Sequence, residues 1–444
     1  MALHSRRQLL TGIGVFATTL VAGCTADREV QTPEPTPTPT DSPTPPAATP
    51  YTPTTPATGT PTDDEDVVKT EPTDLDASPL QPAWEQILPG QYELSTPGLG
   101  EQHVFIGSRR EIFAVNRDTG VIDWATDLGA MTRAITPEVT DGAVYAAARN
   151  LMGNQIQEDN IDGVWVDEHD YDEPTGGSTL SALEPTSGAV LWENSLPISG
   201  SPVLDNDQLF IGLATLDGRT GVASVHPADG SVNWKVEVDT PEVFSNPSFS
   251  DDCILFTTGP DEAGDSWVVS VSQAGELRWT RRLEGEVWNE LTVADGVAYA
   301  GTDEGVLYAI ESDNTVNWSR VVSDAPRNAI HTTPAVHNGV VYVSATNRLF
   351  ALDAEDGEEL WRGGYTDDAR SGISISGGMV HVGGLEISSF DLDGNEAKWR
   401  IDLPGSAGSF GAPLYDEHDE AIYTGACVKI DNFDWYEHTL YRLE

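Results

Sequence analysis

The chain has 444 residues and carries 23 Lys and Arg against 72 Asp and Glu, a formal net charge of -49 at pH 7. This charge excludes nucleic acid as a partner and disfavours anionic lipid headgroups, because phosphates are bound by Lys and Arg that replace their counterions. Acidic residues are spread through most of the chain, which resembles proteins of salt-loving archaea, with an ordinary acidic soluble surface as the alternative.

Residues 1–24 have the composition of an export signal. Arg6 and Arg7 precede an apolar run, LLTGIGVFATTLVA, that is short for a transmembrane helix. The Arg pair resembles a twin-arginine signal, and the letters VAGC resemble a lipobox, in which cleavage leaves Cys24 as the lipid-modified first residue. The sequence therefore predicts an extracytoplasmic protein, anchored by lipid at Cys24 to the outer face of the cell membrane, with an uncleaved N-terminal anchor as the alternative.

Residues 25–80 are predicted to be a disordered stalk. From Gln31 to about Thr62 the composition is dominated by Thr, Pro, Ala and Ser, and a charged spacer follows. Proline removes backbone donors and favours extended geometry, and such a segment has too few large apolar residues to build a core. The stalk would hold the domain that follows it away from the membrane.

A repeat occupies residues 81–444. Tryptophan recurs about every 40 residues, with one longer gap of 68 between the second and third copies. A period of this length, filled by short alternating strands, is typical of the four-stranded blades of a β-propeller. The tryptophans of the repeat are Trp84, Trp124, Trp192, Trp234, Trp279, Trp318, Trp361 and Trp399.

One repeat shows how the strands divide. The segment TTPAVHNG, from Thr332 to Gly339, reads as a first strand and its turn, and VVYVSA reads as an apolar second strand. LFALD is an alternating third strand, AEDG is a hairpin turn, and EELWRGG is the outer strand with its tryptophan. Each tryptophan would fill the gap between neighbouring blades, with its indole N–H on a backbone carbonyl.

The two ends of the repeat region are complementary. Eight copies of the first strand occur, but the last unit ends at Glu444 without an outer strand, whereas Trp84 lies in AWEQILP with no strands before it. Pairing this segment with the last three strands would close the ring and remove two sheet edges. The predicted fold is all-β, an eight-bladed β-propeller of four-stranded antiparallel blades, closed by an N-terminal strand pairing with the last blade.

The pattern A-x-D…G-x-x-x-W resembles the tryptophan-docking repeat of the PQQ-like propeller superfamily, and Ala351, Asp353, Gly357 and Trp361 form its best copy. The resemblance covers roughly residues 83–444. It implies one of two kinds of relative. Some members are quinoprotein dehydrogenases, and others are binding scaffolds, such as the lipoprotein subunit of the bacterial outer-membrane barrel-assembly machinery.

The dehydrogenase members imply PQQ and Ca²⁺ at the ring centre, with acidic ligands and an Asp base. Alcohol-oxidising members commonly add a disulfide between adjacent cysteines, and this chain has no adjacent cysteines and no CxxCH motif for haem. Cys253 and Cys427 fall in apolar strands and are interpreted as core residues. We therefore expect no cofactor and no metal, with PQQ or Ca²⁺ left as the alternative.

Two loops interrupt the repeat and form a candidate binding face. Residues 150–178 and 428–437 both join a second strand to a third, in blades that flank the first blade, and both mix aromatic with acidic residues. Aromatic loops on a rigid scaffold are typical of binding surfaces, and a self-packed lid is the alternative. The acidic run DEHDYDE could hold a hard cation through its carboxylates, but it lacks the spacing and the glycine of a calcium loop, and a hydrated acidic loop is the alternative. The candidate residues are Trp165, His169, Tyr171, Phe433, Trp435 and Tyr436.

Residues just before the first strands should ring the mouth of the propeller. Arginines among them could bind a carboxylate or a phosphate, or simply neutralise nearby acids. His331 by itself is weak support for a general base. The residues at these positions are Arg133, Trp288, Asn289, Glu290, Arg327, His331 and Arg370.

These features favour a non-enzymatic scaffold whose loop-rich face binds an extracytoplasmic protein or a ligand. The chain has no glycine-rich phosphate loop, no GxSxG elbow and no HExxH motif. The alternative functions are a quinone- or calcium-dependent dehydrogenase of alcohols or sugars, and a degenerate sensor of a small ligand. We expect a monomer tethered at Cys24.

Overall fold

The residues that a computed structural model of the chain describes begin at position 69. They are residues 69–70, 80–89, 94–108, 110–130, 132, 135–149, 178–214, 220–240, 245–250, 253–322, 329–365, 372–384, 386–394, 397–402, 406–416, 418–429 and 436–444.

Every regular element among these residues is a β-strand. Two strands precede the repeats, β1 (Lys69–Thr70) and β2 (Pro82–Leu88). The first four blades then follow in chain order. Blade 1 is β3 (Gly98–Leu99), β4 (His103–Ser108), β5 (Glu111–Asn116) and β6 (Ile122–Asp127); blade 2 is β7 (Glu138–Val139), β8 (Val144–Ala148), β9 (Thr179–Leu183) and β10 (Val190–Ser195); blade 3 is β11 (Val203–Asp205), β12 (Gln208–Ala214), β13 (Thr220–Val225) and β14 (Val232–Val238); blade 4 is β15 (Ser248–Ser250), β16 (Cys253–Thr258), β17 (Trp267–Ser272) and β18 (Leu277–Arg282).

The remaining blades repeat this order, except that the last has only three strands of its own. Blade 5 is β19 (Thr292–Ala294), β20 (Val297–Gly301), β21 (Val306–Glu311) and β22 (Val316–Val321); blade 6 is β23 (Ala335–His337), β24 (Val340–Ala345), β25 (Arg348–Asp353) and β26 (Glu359–Gly364); blade 7 is β27 (Ile373–Ser376), β28 (Met379–Gly383), β29 (Glu386–Asp391) and β30 (Ala397–Asp402); blade 8 contains β31 (Ser406–Asp416), β32 (Ala421–Lys429) and β33 (Tyr436–Leu443).

Eight separate antiparallel meanders result, so the predicted eight-bladed propeller is confirmed. First strands of neighbouring blades contact one another, as β15 does with β19 and β19 with β23, and they therefore surround the ring centre. Second and third strands are covered on both faces, and β4, β13 and β16 are buried at every residue. Fourth strands such as β6 and β22 alternate between half-buried and exposed residues, as expected at the rim.

The core is divided among the gaps between blades. Eight apolar clusters are described, and each joins side chains of two adjacent blades. Cys253, for example, is fully buried in the cluster between blades 4 and 5. A blade therefore buries its two faces only against its neighbours, and the ring is stable as a whole rather than blade by blade.

The strand β2 completes blade 8, as predicted from the orphan tryptophan. It pairs antiparallel with β33, with Trp84 opposite Arg442 and Leu88 opposite His438. Gln81 and Glu444 extend this ladder with two backbone hydrogen bonds of 2.8 and 3.0 Å. A single cluster then holds Leu88 of β2 with residues of blades 1 and 8, which closes the ring.

One strand was not predicted. Within the region interpreted as a stalk, β1 pairs in parallel with β26, placing Lys69 opposite Arg362 and making the sheet of blade 6 five-stranded. In the part of the chain that the structure describes, no helix has the length and apolar character needed to cross a membrane. The signal segment ending at Cys24 lies outside the described residues, and its role stays a prediction.

Candidate functional site

One side of the propeller carries the connections that interrupt the repeat. We define as the loop face the side where second strands lead to third strands and where each fourth strand leads to the next blade. The two kinds of connection lie side by side, because residues of the inter-blade connections form β-bridges with residues at or near the ends of second strands. The bridging residues of the connections are Leu94, Ile198 and Ile330. The antiparallel order of each blade places both on the same side.

The predicted aromatic loops belong to the loop face. The first joins β8 to β9 and the second joins β32 to β33, in the blades that flank blade 1. Tyr436 begins β33, and its side chain is outside the description. The other candidate residues of the two loops lie outside the described residues, and their role in binding stays a prediction; they are Trp165, His169, Tyr171, Phe433 and Trp435.

Of the residues predicted at the mouth, four are described. Trp288 is 54% exposed, in the connection that leads into blade 5, and it precedes Asn289 and Glu290. His331 is half-buried in the connection that leads into blade 6. The remaining positions, Arg133, Arg327 and Arg370, lie outside the described residues.

The repeated tryptophans join each blade to the next one. Seven indoles donate a hydrogen bond to a backbone carbonyl in the turn between the third and fourth strands of the following blade. Trp399 lies in β30, but its side chain is outside the description. The bonds run from Trp84 to Arg117 (2.8 Å), Trp124 to Pro185 (3.0 Å), Trp192 to Pro227 (2.8 Å), Trp234 to Gln273 (3.2 Å), Trp279 to Ser312 (2.8 Å), Trp318 to Ala354 (3.0 Å) and Trp361 to Leu392 (3.1 Å).

A polar belt runs around part of the ring centre, next to the first strands, from blade 2 to blade 5. We use this name for Thr136, Ser201, Asn246 and Glu290. The Thr136 N–H donates to Ser201 Oγ at 2.9 Å, and the Ser201 N–H donates to Asn246 Oδ1 at 2.6 Å. Asn246 Nδ2 in turn donates to Glu290 Oε1. The belt therefore runs in one direction and ends on the carboxylate of Glu290.

All four belt residues occupy the same position of the repeat. Thr136, Ser201 and Asn246 each precede a proline that leads into a first strand, and Glu290 precedes Leu291 at the equivalent place. A residue before proline is restricted to extended backbone geometry, which fixes where its side chain leaves the chain. Sequence reasoning placed Glu290 at the mouth but missed its partners. The signal was available, because a polar residue recurs before the proline.

The environment of Glu290 is unusual for a carboxylate. Protein surrounds it, and this burial raises its pKa to about 7, with the bond from Asn246 acting in the opposite direction. A fraction of its surface nevertheless stays accessible. Gly200 leaves room for the belt, since a Cβ there would lie 2.8 Å from Asn246 Oδ1.

The belt does not provide the ligands that Ca²⁺ prefers. Calcium takes six to eight oxygen ligands, usually from several carboxylates. Among the described residues, no three His, Cys, Asp or Glu side chains come together in a way that could hold a metal ion. The carbonyl of Asn246 already accepts the Ser201 N–H. Because Ca²⁺ accompanies PQQ in the dehydrogenases, the described part of the ring centre does not fit that pair, and the lack of a cofactor stays a prediction.

Comparison with known families gives one match over the propeller. The PQQ_2 family, described as outer membrane protein assembly factor BamB, matches residues 176–274, 219–336, 264–391 and 323–424. These overlapping segments run from blade 2 into blade 8 and cover more than half of the chain.

Individual relatives are similar to parts of the chain. An outer membrane protein assembly factor BamB of Moranella endobia is 31% identical over 230 residues, which are 46% of this chain and 56% of that protein. The chain thus spans little more than half the length of this relative. The solved structure of BamB from Moraxella catarrhalis superposes with a TM-score of 0.57 at 14% identity, over 82% of this chain and 99% of that chain. Quinohemoprotein alcohol dehydrogenase from Comamonas testosteroni gives 0.61 at 12% identity, over 84% and 78%, so these two structures show a shared fold.

Proposed function

Because the chain belongs to the PQQ_2 family, described as outer membrane protein assembly factor BamB, we propose that it is a non-enzymatic scaffold that binds another protein outside the cell membrane. The family match carries this proposal. The relatives are named as outer membrane protein assembly factors, and a ring of eight blades is a rigid support for loops that contact a partner. The N-terminal features support tethering by lipid at Cys24, with residues 25–80 as the spacer.

The loop face is the proposed docking surface. A comparison between blades supports this proposal. The connections β8–β9 and β32–β33 contain longer, aromatic-rich sequences, whereas the equivalent connection in blade 6 is a two-residue turn, Thr346–Asn347. Trp288 adds an exposed aromatic side chain on the same face. Aromatic residues are enriched among those that dominate protein interfaces.

The test compares protein capture by three forms of the full chain. In the first variant, residues 150–177 are replaced by a short glycine-rich linker between Arg149 and Ser178. In the matched control, three residues are inserted between Asn206 and Asp207, a turn on the opposite side of the ring. Each form is used at constant salt to capture proteins from solubilised membranes, and circular dichroism checks the fold.

We expect the same partner with the wild type and the control, and its loss with the loop replacement. Equal capture by all three folded forms would show that the loop face is the wrong surface.

The dehydrogenase alternative is tested by adding PQQ and Ca²⁺ and measuring dye-linked oxidation of alcohols and sugars. Sustained turnover there would contradict a non-enzymatic scaffold.

A further inference from the structure

The carboxylate of Glu290 is enclosed without a counter-charge among the described residues. Its one described partner is the neutral amide of Asn246, and no described cation acts on it. Removing a carboxylate from water is costly unless the charge is paired. A protein that keeps such a group at its ring centre therefore holds a site with unused affinity for positive charge.

The polar belt makes this site a defined one. Asn246 Oδ1 accepts a hydrogen bond from the Ser201 N–H, and Asn246 Nδ2 donates one to Glu290 Oε1. The side chains of Asn246 and Glu290 therefore hold each other in place. Aligned hydrogen bonds polarise one another, which favours negative charge at the accepting end. The second oxygen, Oε2, has no described hydrogen bond, and Glu290 as a residue is only half-buried.

The chemistry of the site selects the class of ligand. An anion would be repelled by Glu290, and a divalent metal would find only one carboxylate. A primary ammonium or a guanidinium needs a single carboxylate and gains a charge-assisted hydrogen bond from it. Trp288, two residues before Glu290 in the chain, is an exposed aromatic side chain of the loop face, and aromatic faces attract cations.

We propose that the ring centre binds one organic cation at Glu290, and that this cation is a lysine or arginine side chain of the protein that docks on the loop face. The second half of the proposal rests on the proposed scaffold function, whereas the first half does not. A net charge of -49 over the whole chain would attract a basic partner to the protein.

The site has a predictable dependence on pH. The cation binds the ionised carboxylate, and burial raises the pKa of Glu290 to about 7. Affinity should therefore be constant above this value and fall about tenfold for each pH unit below it. Glu138 of β7 is another described titratable group near the belt. It accepts a hydrogen bond from the Leu204 backbone, and burial raises the pKa of its carboxyl as well.

The first measurement is calorimetric titration of the full chain with butylguanidinium, butylammonium and the neutral analogue butylurea. Glu290→Gln removes the charge and keeps an acceptor for Asn246. Glu284→Gln is the matched control, because Glu284 is an exposed residue of the same connection. We expect the two cations, but not butylurea, to bind the wild type and the control, and affinity to fall at least about tenfold in Glu290→Gln. Equal binding to Glu290→Gln, or binding of butylurea, would overturn the site.

The second measurement is the titration of Glu290 by carbon NMR of labelled glutamate, assigned by its absence in Glu290→Gln. We expect its pKa near 7 in the free protein and a decrease when butylguanidinium is added. Titration at or below the ordinary glutamate value would show that a cation of the chain already neutralises the group, and would overturn the proposal.

The third measurement separates the source of the cation from the scaffold function. If the loop replacement abolishes capture of the partner while butylguanidinium still binds, the two sites are distinct and both proposals stand. Reduced capture by Glu290→Gln supports a side chain of the partner as the ligand. Unchanged capture by Glu290→Gln would reject the partner as the source and leave free amines as the ligand.

Discussion

At the scale of single residues, the repeat depends on a contact between a tryptophan and a glycine of the next blade. The sequence pattern identifies Gly188 as a turn residue, and its φ of 69° agrees with that interpretation. The structure adds a second reason, because the indole of Trp124 lies directly on it, and a Cβ at Gly188 would be 2.5 Å from Trp124 Cε3. This contact joins residues of different blades and cannot be deduced from the turn motif alone.

The equivalent position in blade 5 shows what the contact tolerates. Asn314 replaces glycine there, with a φ of 76°, and asparagine is the residue that most readily adopts this geometry after glycine. Its Oδ1 accepts a hydrogen bond from Arg281 Nε at 2.5 Å, across the gap between blades 4 and 5. An additional inter-blade bond therefore accompanies the loss of the glycine.

We predict that Gly188→Ala lowers the free energy of unfolding by about 3 kcal/mol. Alanine is strained in the left-handed backbone conformation of this position, and its Cβ would overlap the Trp124 ring. The matched control is Gly129→Ala. Gly129 has a φ of 75° but no atom near its Cβ position, so about 1 kcal/mol is expected. Urea titrations at constant salt measure both values. Equal destabilisation by the two substitutions would mean that the tryptophan contact contributes nothing.

At the scale of the elements, the seam between blades 8 and 1 differs from the other interfaces. The turn residue whose carbonyl receives the tryptophan is uncharged in the other described cases, such as Pro185 and Ala354, but it is Arg117 at the seam. Arg117 is 7% exposed, and its guanidinium contacts Asp416, Asp419 and the carbonyl of Gly100.

The seam is a connected network rather than one ion pair. Tyr423 donates its hydroxyl to Asp419 at 2.7 Å, and Arg442 donates to the Arg117 carbonyl at 2.7 Å. Burial acts to raise the pKa of Asp419, but its bonds to Tyr423 and Arg117 and the charge of Arg442 outweigh burial and lower it. The two acids lie next to Arg117 only after the ring closes, so a sequence pattern could not reveal the pairing.

We expect Arg117→Met to lower the free energy of unfolding by about 3 kcal/mol, because it removes the guanidinium that contacts two enclosed carboxylates and leaves Asp419 with the more distant Arg442, at 3.8 Å, as its described counter-charge. Arg282→Met is the control. Arg282 also contacts two carboxylates, those of Asp261 and Asp265, but it is 44% exposed, and less than about 1 kcal/mol is expected. Thermal unfolding monitored by circular dichroism would compare the two. A seam substitution as mild as the surface one would contradict the importance of the network.

At the scale of the whole molecule, the number of blades and the mode of closure followed from the sequence. The tryptophan spacing gave eight units, and the orphan segment around Trp84 gave the missing strand, because a ring with a gap would leave edges unpaired. The polar belt and β1 did not follow. Each depends on which residues of distant segments meet, and a repeat period carries no information about that.

We predict that a circularly permuted form of residues 81–444 folds. Gln81 and Glu444 already pair through their backbones, so an Asn-Gly link between them would make blade 8 a continuous meander. New ends can be opened between Glu262 and Ala263, exposed residues of the turn between β16 and β17. The permuted protein should elute as the wild type does in size-exclusion chromatography and show the same circular dichroism. Failure of the permuted protein to fold, while residues 81–444 with their original ends do fold, would show that the ring needs its native break.

The use of β2 as the outer strand of blade 8 also sets the order in which the molecule is built during translation. The strand β2 leaves the ribosome before all eight blades, but the strand with which it pairs, β33, is the last one to be made. Blades 1 to 7 can assemble while the chain is still growing, but Trp84 has no strand to pair with until residues 436–443 have emerged. The ring therefore closes only after β33 has emerged, and a nascent chain that stalls before this strand has an open arc of blades with two unpaired edges.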